Sequence, residues 1–150
     1  MFNPIRVFFV AAIFFAVHPA FAQPFVHPGG LHTQADFDRM KAKVAANQSP
    51  WVGSYDYLTA VGEAQTNWYW APVVQIIRGP SGSNYARSQN DALAIYCLAL
   101  RWRITGDTNF AEKAIQGCDA WSSTMTNGVG GDSNWALGVG ICGYEFAVAG

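Results

Sequence analysis

Between Asn90 and Met125 the chain carries two kinds of hydrophobic pattern in succession. From Ala92 to Leu100 nearly every residue is apolar, which predicts a helix buried on all sides, with no solvent stripe. From Phe110 onward the apolar residues return at helical spacing. Phe110, Ala111, Ala114, Ile115, Cys118, Trp121 and Met125 share one face, and Glu112, Lys113, Gln116 and Asp119 face away. Gly106-Asp107 marks a tight turn between the two. An inner and an outer helix joined in this way are the unit of an α/α toroid or solenoid, an all-α architecture in which stacked hairpins bury one another's inner faces.

The pattern on either side is less regular. Thr33-x-x-Asp36 predicts a capping box opening a helix whose buried stripe is Phe37, Met40 and Val44, ending by Asn47. Ser49-Pro50 predicts the N-cap and first position of a second helix, with Trp51, Tyr55, Leu58 and Gly62 along one face. Gln65–Gln89 reads as a long irregular loop, broken by Pro72 and Pro80 and carrying the run Trp68-Tyr69-Trp70. A loop of that length inside a compact domain tends to be functional. Within it, Val73–Ile77 fits a short strand or an extended segment equally well. Asn127–Gly131 reads as a flexible link, and Asp132 or Ser133 caps a last apolar helix from about Asn134, with Gly138, Gly140 and Gly143 for close helix contact. That helix has no polar tail and no partner hairpin, so residues 23–150 are expected to be the N-terminal part of a larger domain.

Residues 1–22 have the three regions of a secretory signal peptide: a basic start at Arg6, an apolar run over Val7–Val17, and Ala20-Phe21-Ala22 before cleavage at Gln23. The run is too short to span a bilayer, so a secreted or periplasmic protein with no membrane anchor after cleavage is expected. Net charge over the whole chain is −1, and no Lys/Arg cluster is present, which removes the electrostatic footprint of a nucleic-acid binder. All six Trp and all six Tyr fall after the leader, a supply of flat apolar faces suited to sugar rings or to a core. Cys97, Cys118 and Cys142 form an odd set with no CxxC and no metal-like His spacing. Reflection about Gly106 sets Cys97 opposite Cys118, so one disulfide is conceivable in an oxidising compartment; buried free thiols are the preferred alternative.

Several short motifs occur in a recognisable order. Phe25-Val26-His27-Pro28-Gly29-Gly30-Leu31-His32-Thr33 is followed by Asp36-Phe37-Asp38-Arg39-Met40-Lys41, then by Arg78-Gly79-Pro80 and Asp91-Ala92. Leu98-Ala99-Leu100-Arg101-Trp102, Thr105-Gly106-Asp107, Lys113-Ala114-Ile115, Ala120-Trp121-Ser122 and Gly143-Tyr144 complete the series. Over Phe25–Gly150 the sequence resembles the alginate-lyase-domain family. The resemblance implies an (α/α) toroid, here incomplete, of an exported polysaccharide lyase that cleaves a uronic-acid polymer of alginate or glucuronan type by β-elimination, without an organic cofactor. It places that family's better-known catalytic Asn/His and Tyr elements beyond Gly150, so no catalytic residue is assigned. The expected partner is an acidic polysaccharide, and no metal site is expected.

β-Elimination needs the uronate carboxylate neutralised, a base for the adjacent proton, and an acid for the leaving oxygen. Asn90, at the expected start of the inner helix, is a candidate carboxylate ligand or simply the N-cap. Arg78 and Arg87 are the cationic candidates in the loop, against the ordinary reading of solvated surface charge. Trp68, Tyr69 and Trp70 are candidate sugar-stacking faces; three consecutive aromatics cannot all point inward, so at least one should be exposed while others anchor the loop. Tyr144 is a candidate acid, weighed against a core tyrosine. His27 and His32, the only histidines after the leader, read as structural residues fixing the N-terminal arm rather than as bases. A binding scaffold of tetratricopeptide type is the alternative, because the hairpin around Gly106 resembles that repeat, although no second copy follows at the required spacing of about 34 residues. A catalytically silent carbohydrate binder is the third reading.

Overall fold

A computed structural model describes residues 30–79, 84–131 and 133–149. The expected leader, His27 with the Pro28-Gly29 turn, Pro80 and the candidate cap Asp132 lie outside the described residues. The described chain is all-α in class, with five α-helices and one two-stranded sheet.

Helix α1 spans Gln34–Ala45 and opens on the expected capping box: Thr33 accepts from the Asp36 backbone, and the Asp36 carboxylate accepts from the Thr33 N–H at 2.9 Å. Phe37, Met40 and Val44 are half-buried. Helix α2 spans Trp51–Ala60. Ser49 is not its cap, a correction to the expected start. Val52 N–H instead donates to the Gln48 carbonyl at 3.1 Å and Ser54 N–H to Pro50 at 3.0 Å, so the preceding turn's own carbonyls lead the chain into the helix. A short 3-10 turn at Gly62–Ala64 follows.

Helices α3 (Tyr85–Thr105) and α4 (Thr108–Thr124) form the central hairpin. Gly106 closes α3 at φ 80°, the left-handed conformation that glycine adopts without steric cost. Asp107 caps α4 by accepting from Asn109 N–H at 3.0 Å. The hairpin differs from expectation in three respects. First, α3 begins at Tyr85 and not at Asn90. The polar run Arg87-Ser88-Gln89-Asn90 hides a helical stripe whose inward members, Ser88 and Asp91, are polar yet buried. Second, α3 is not buried all round: Leu93 is 48% exposed. Third, the buried stripe of α4 is turned away from Ile115, which is 58% exposed, towards Gly117. A Cβ at Gly117 would lie 2.7 Å from Ile95 and 2.8 Å from Trp70, so the missing side chain is what lets both approach α4. Ile95, Leu98, Ala114 and Ala149 form the main core cluster there, with Trp70 and Phe110 packed on it.

Strand β1 (Ile76–Arg78) pairs in parallel with β2 (Val129–Gly131), in the register Ile76 to Val129 and Arg78 to Gly131. The segment expected to be a flexible link therefore supplies a strand. Gly131 has φ 125°, and a Cβ there would fall 1.7 Å from the Arg78 carbonyl oxygen, so only glycine fits. Asn84 completes the other edge of β1: its side chain accepts from Ile77 N–H at 2.7 Å and donates to the Gln75 carbonyl at 3.0 Å. The last helix, α5, spans Trp135–Ala149. Gly138 packs against Arg78 and Val129 of the two strands and not against another helix, and Gly140 and Gly143 meet no neighbour that a Cβ would touch. Their expected role in close contact is corrected. Among the described residues no helix is long and apolar enough to cross a membrane.

Candidate functional site

A groove of about 420 Å³ lies between the N-terminal half of α3, the second half of α5 and Leu31. Helical spacing explains which side chains reach it. From α3, Gln89, Asn90, Leu93 and Tyr96 occupy one broad face; from α5, Tyr144, Glu145 and Val148 face them. Asn90 is exposed, and Tyr144 is 63% exposed. Two of the six candidate binding residues are thus brought together. Asn90 is corrected in one respect: it sits in the second turn of α3, so neither capping nor the helix N-terminus explains it.

Behind the groove, Tyr96 Oη lies 2.6 Å from His32 Nε2, with the two rings stacked at 6.1 Å between centroids. His32 also packs on Phe37 of α1 at 5.3 Å. Burial, first of all, raises the Tyr96 phenol above its ordinary value of 10, and Cys97 and Tyr144 add to the shift. Tyr96 therefore keeps its proton in neutral solution, and it donates to His32 when the imidazole carries its own hydrogen on Nδ1. Glu145 is held by Gln89, whose Nε2 donates to Oε1 at 3.2 Å, while the buried Oε2 has no hydrogen-bond partner. Among the described residues the groove lining includes this carboxylate and no Lys or Arg.

The other four candidates lie elsewhere. Trp70 is packed into the core against Ile95 and Gly117. Trp68 donates its indole N–H to Asp91 Oδ1 at 3.0 Å. Both anchor the loop, and the exposed member of the aromatic run is Tyr69, at 79%. Arg78 lies over the Tyr85 ring at 5.5 Å, against α5 and away from the groove. Arg87 lies 3.3 Å from Asp91 as an ion pair and donates to the Tyr69 carbonyl. Its guanidinium stands over the Trp68 ring at 5.1 Å and the Tyr69 ring at 5.9 Å. Arg87 and Asn90 are one helical turn apart on α3, so Arg87 borders the groove without lining it.

Asp91 was missed as an organising residue. It is fully buried and accepts from Trp68, from Trp121 Nε1 at 2.9 Å and from Ala71 N–H at 2.9 Å. The available signal was one acidic residue immediately before an apolar helical run, in a chain whose tryptophan N–H groups all need acceptors. Tyr96 and Glu145 were also missed, since a tyrosine and a glutamate within apolar helices look like core and surface. The sequence favours a structural role for His32 over that of a base or carboxylate clamp, whereas the structure sets it against Tyr96.

All three cysteines carry free thiols, so the conceivable Cys97–Cys118 bond is not formed. Desolvation, with Glu63 adding a smaller effect, pushes the Cys97 thiol up to about 11, which makes it a poor nucleophile. Among the described residues no group of three or more His, Cys, Asp and Glu is placed to hold a metal ion. No family model, curated protein or solved structure matches the chain.

Proposed function

We propose that this chain is an exported carbohydrate-active domain of the alginate-lyase type, part of an (α/α) toroid of stacked hairpins, acting on a uronic-acid polymer by β-elimination. The observation that carries this reading is the convergence of Asn90, Tyr144 and the hydrogen-bonded His32–Tyr96 pair on one groove. The order of motifs along Phe25–Gly150 supports the family, the leader pattern supports export, and the α3–α4 hairpin supports the toroid unit.

In β-elimination the proton on C5, beside the uronate carboxylate, passes to Tyr96 Oη as the Tyr96 proton moves to His32 Nε2. The electron pair left on C5 forms the C4=C5 double bond, the C4–O4 bond breaks, and O4 takes up a proton. The Asn90 amide donates to the carboxylate, whose extra charge develops as C5 loses its proton. Tyr96 is matched to the acid role: it stays protonated, it lines the groove, and His32 stands behind it to return a proton. Tyr144, opposite, offers a ring face or a hydroxyl to the sugar.

A second reading rests on Glu145. A groove whose charge among the described lining residues is the Glu145 carboxylate suits sugar hydroxyls, as in a carbohydrate binder without turnover. One experiment separates the two. The chain is incubated with alginate and with glucuronan while absorbance from the new double bond is followed in the far ultraviolet and binding is followed by affinity electrophoresis. A lyase gives rising absorbance that Asn90→Ala lowers by roughly tenfold or more. Retardation in the gel without absorbance identifies the silent binder. Neither signal, with a folded chain, overturns both readings.

A further inference from the structure

Tyr69 is the most exposed of the large hydrophobic residues on the described surface, yet its surroundings are among the most constrained. The residue before it is fixed by the Trp68 indole bond to Asp91, and Ala71, two residues after, by its own N–H to the same carboxylate. The Tyr69 carbonyl is held by the Arg87 guanidinium. All of these constraints trace to one fully buried anion, because Asp91 also pairs with Arg87 at 3.3 Å. Exposing a large ring forfeits the free energy of burying it. Holding the backbone around an exposed ring removes the entropy that a ligand would otherwise lose on ordering it. A rigid, solvent-facing aromatic ring beside a guanidinium is a preorganised stacking surface.

Its position gives it a ligand. Arg87 is adjacent to Asn90 on the surface of α3, with Cβ atoms about 5–6 Å apart, and the Tyr69 ring centroid is 5.9 Å from the Arg87 guanidinium carbon. Arg87 thus lies one turn back along α3 from the groove residue Asn90, and the Tyr69 ring stands beside Arg87. We propose that Tyr69, with Arg87 beside it, is an outer subsite that stacks a pyranose ring of the same acidic polysaccharide, one that short oligosaccharides do not reach. This rests on the groove being a polyuronate site.

The test compares uronate disaccharides with long oligomers, binding each to the full chain by calorimetry, for the unmodified protein and for Tyr69→Ala, Tyr69→Phe and Tyr57→Ala. Tyr57 on α2 is nearly as exposed, at 74%, and controls for unspecific stacking. Tyr69→Ala is expected to weaken long oligomers by roughly five- to tenfold and to shrink the difference between long and short ligands. Tyr69→Phe should keep that difference, as should Tyr57→Ala. Unchanged long-oligomer binding in a folded Tyr69→Ala protein overturns the subsite while leaving the groove reading intact. An equal loss for short and long ligands also overturns it as a separate outer subsite. No binding of either ligand by the unmodified protein overturns the polyuronate reading, and the subsite falls with it.

Discussion

Asn90 and Asp91 are neighbours in sequence and opposites in circumstance. Asn90 points into an open groove beside Leu93, Tyr96 and Tyr144. Asp91, 100° further round the helix, is fully buried and collects two indole N–H groups, a backbone N–H and a guanidinium. One face of α3 is therefore a joint that binds the loop to the hairpin, and the adjacent face lines an open groove. A buried carboxylate is tolerable only when its oxygens are satisfied and its charge is opposed, so Asp91 dictates where Trp68, Ala71, Arg87 and Trp121 must lie. Nothing comparable dictates the groove. Its side chains are placed by the helices that carry them, with Tyr96 paired to His32 and Gln89 to Glu145.

The sharpest way to break this contrast is Asp91→Ala. It strands two indole donors, one amide and Arg87 in a site built around an anion, and it should cost about 3 kcal/mol of unfolding free energy. A urea melt checks the size of the loss, and tryptophan fluorescence checks whether Trp68 and Trp121 change surroundings with it. A loss below about 1 kcal/mol would mean that the joint is not what holds the loop.

Tyr96→Phe probes the groove face and should cost less, about 1 kcal/mol, the usual worth of one hydrogen bond. Its ring stays packed while the bond to His32 is lost. If Tyr96 supplies the proton to O4, turnover should fall roughly a hundredfold or more while substrate affinity changes little; a merely structural tyrosine would leave turnover near that of the unmodified chain. The smallest expected effect is remote from both faces. The Asp36 carboxyl is lowered from 3.8 to about 2, first by the Thr33 N–H and hydroxyl and then by Arg39. A depressed folded value means that the stabilisation is complete above about pH 4 and is lost as pH falls through about 2. Melting temperatures between pH 5 and pH 2 should therefore decline less steeply for Asp36→Asn, which has no such proton to take up.

Local signals were legible where they are strictly local. The Thr33–Asp36 capping box, the turn at Gly106-Asp107 and the amphipathic start of α4 each depend on a few consecutive residues, and each is present. The first turns of α3 were not legible, because Ser88 and Asp91 are inward-facing polar residues and periodicity counts only apolar ones as buried. The expected face of α4 was turned away from Ile115 for a related reason. Gly117 scores as nothing on a hydrophobic pattern, yet its missing Cβ is what admits Ile95 and Trp70. Of the candidate site residues, Asn90 and Tyr144 meet, whereas Trp68 and Trp70 anchor the loop, and no spacing rule tells an anchoring indole from an exposed one.

By itself the sequence determined the all-α class, the helical hairpin and most of the helix ends, because propensity, capping and turn chemistry act over a handful of residues. Tertiary structure alone decided that His32, 64 positions before Tyr96, lies within hydrogen-bond distance of it, and that Tyr144 faces Asn90 across a groove. It also decided that Asp91 gathers donors from three separate segments. Contacts of that kind are set by how helices pack and by which buried polar atoms must find partners, and neither is written at any single spacing along the chain.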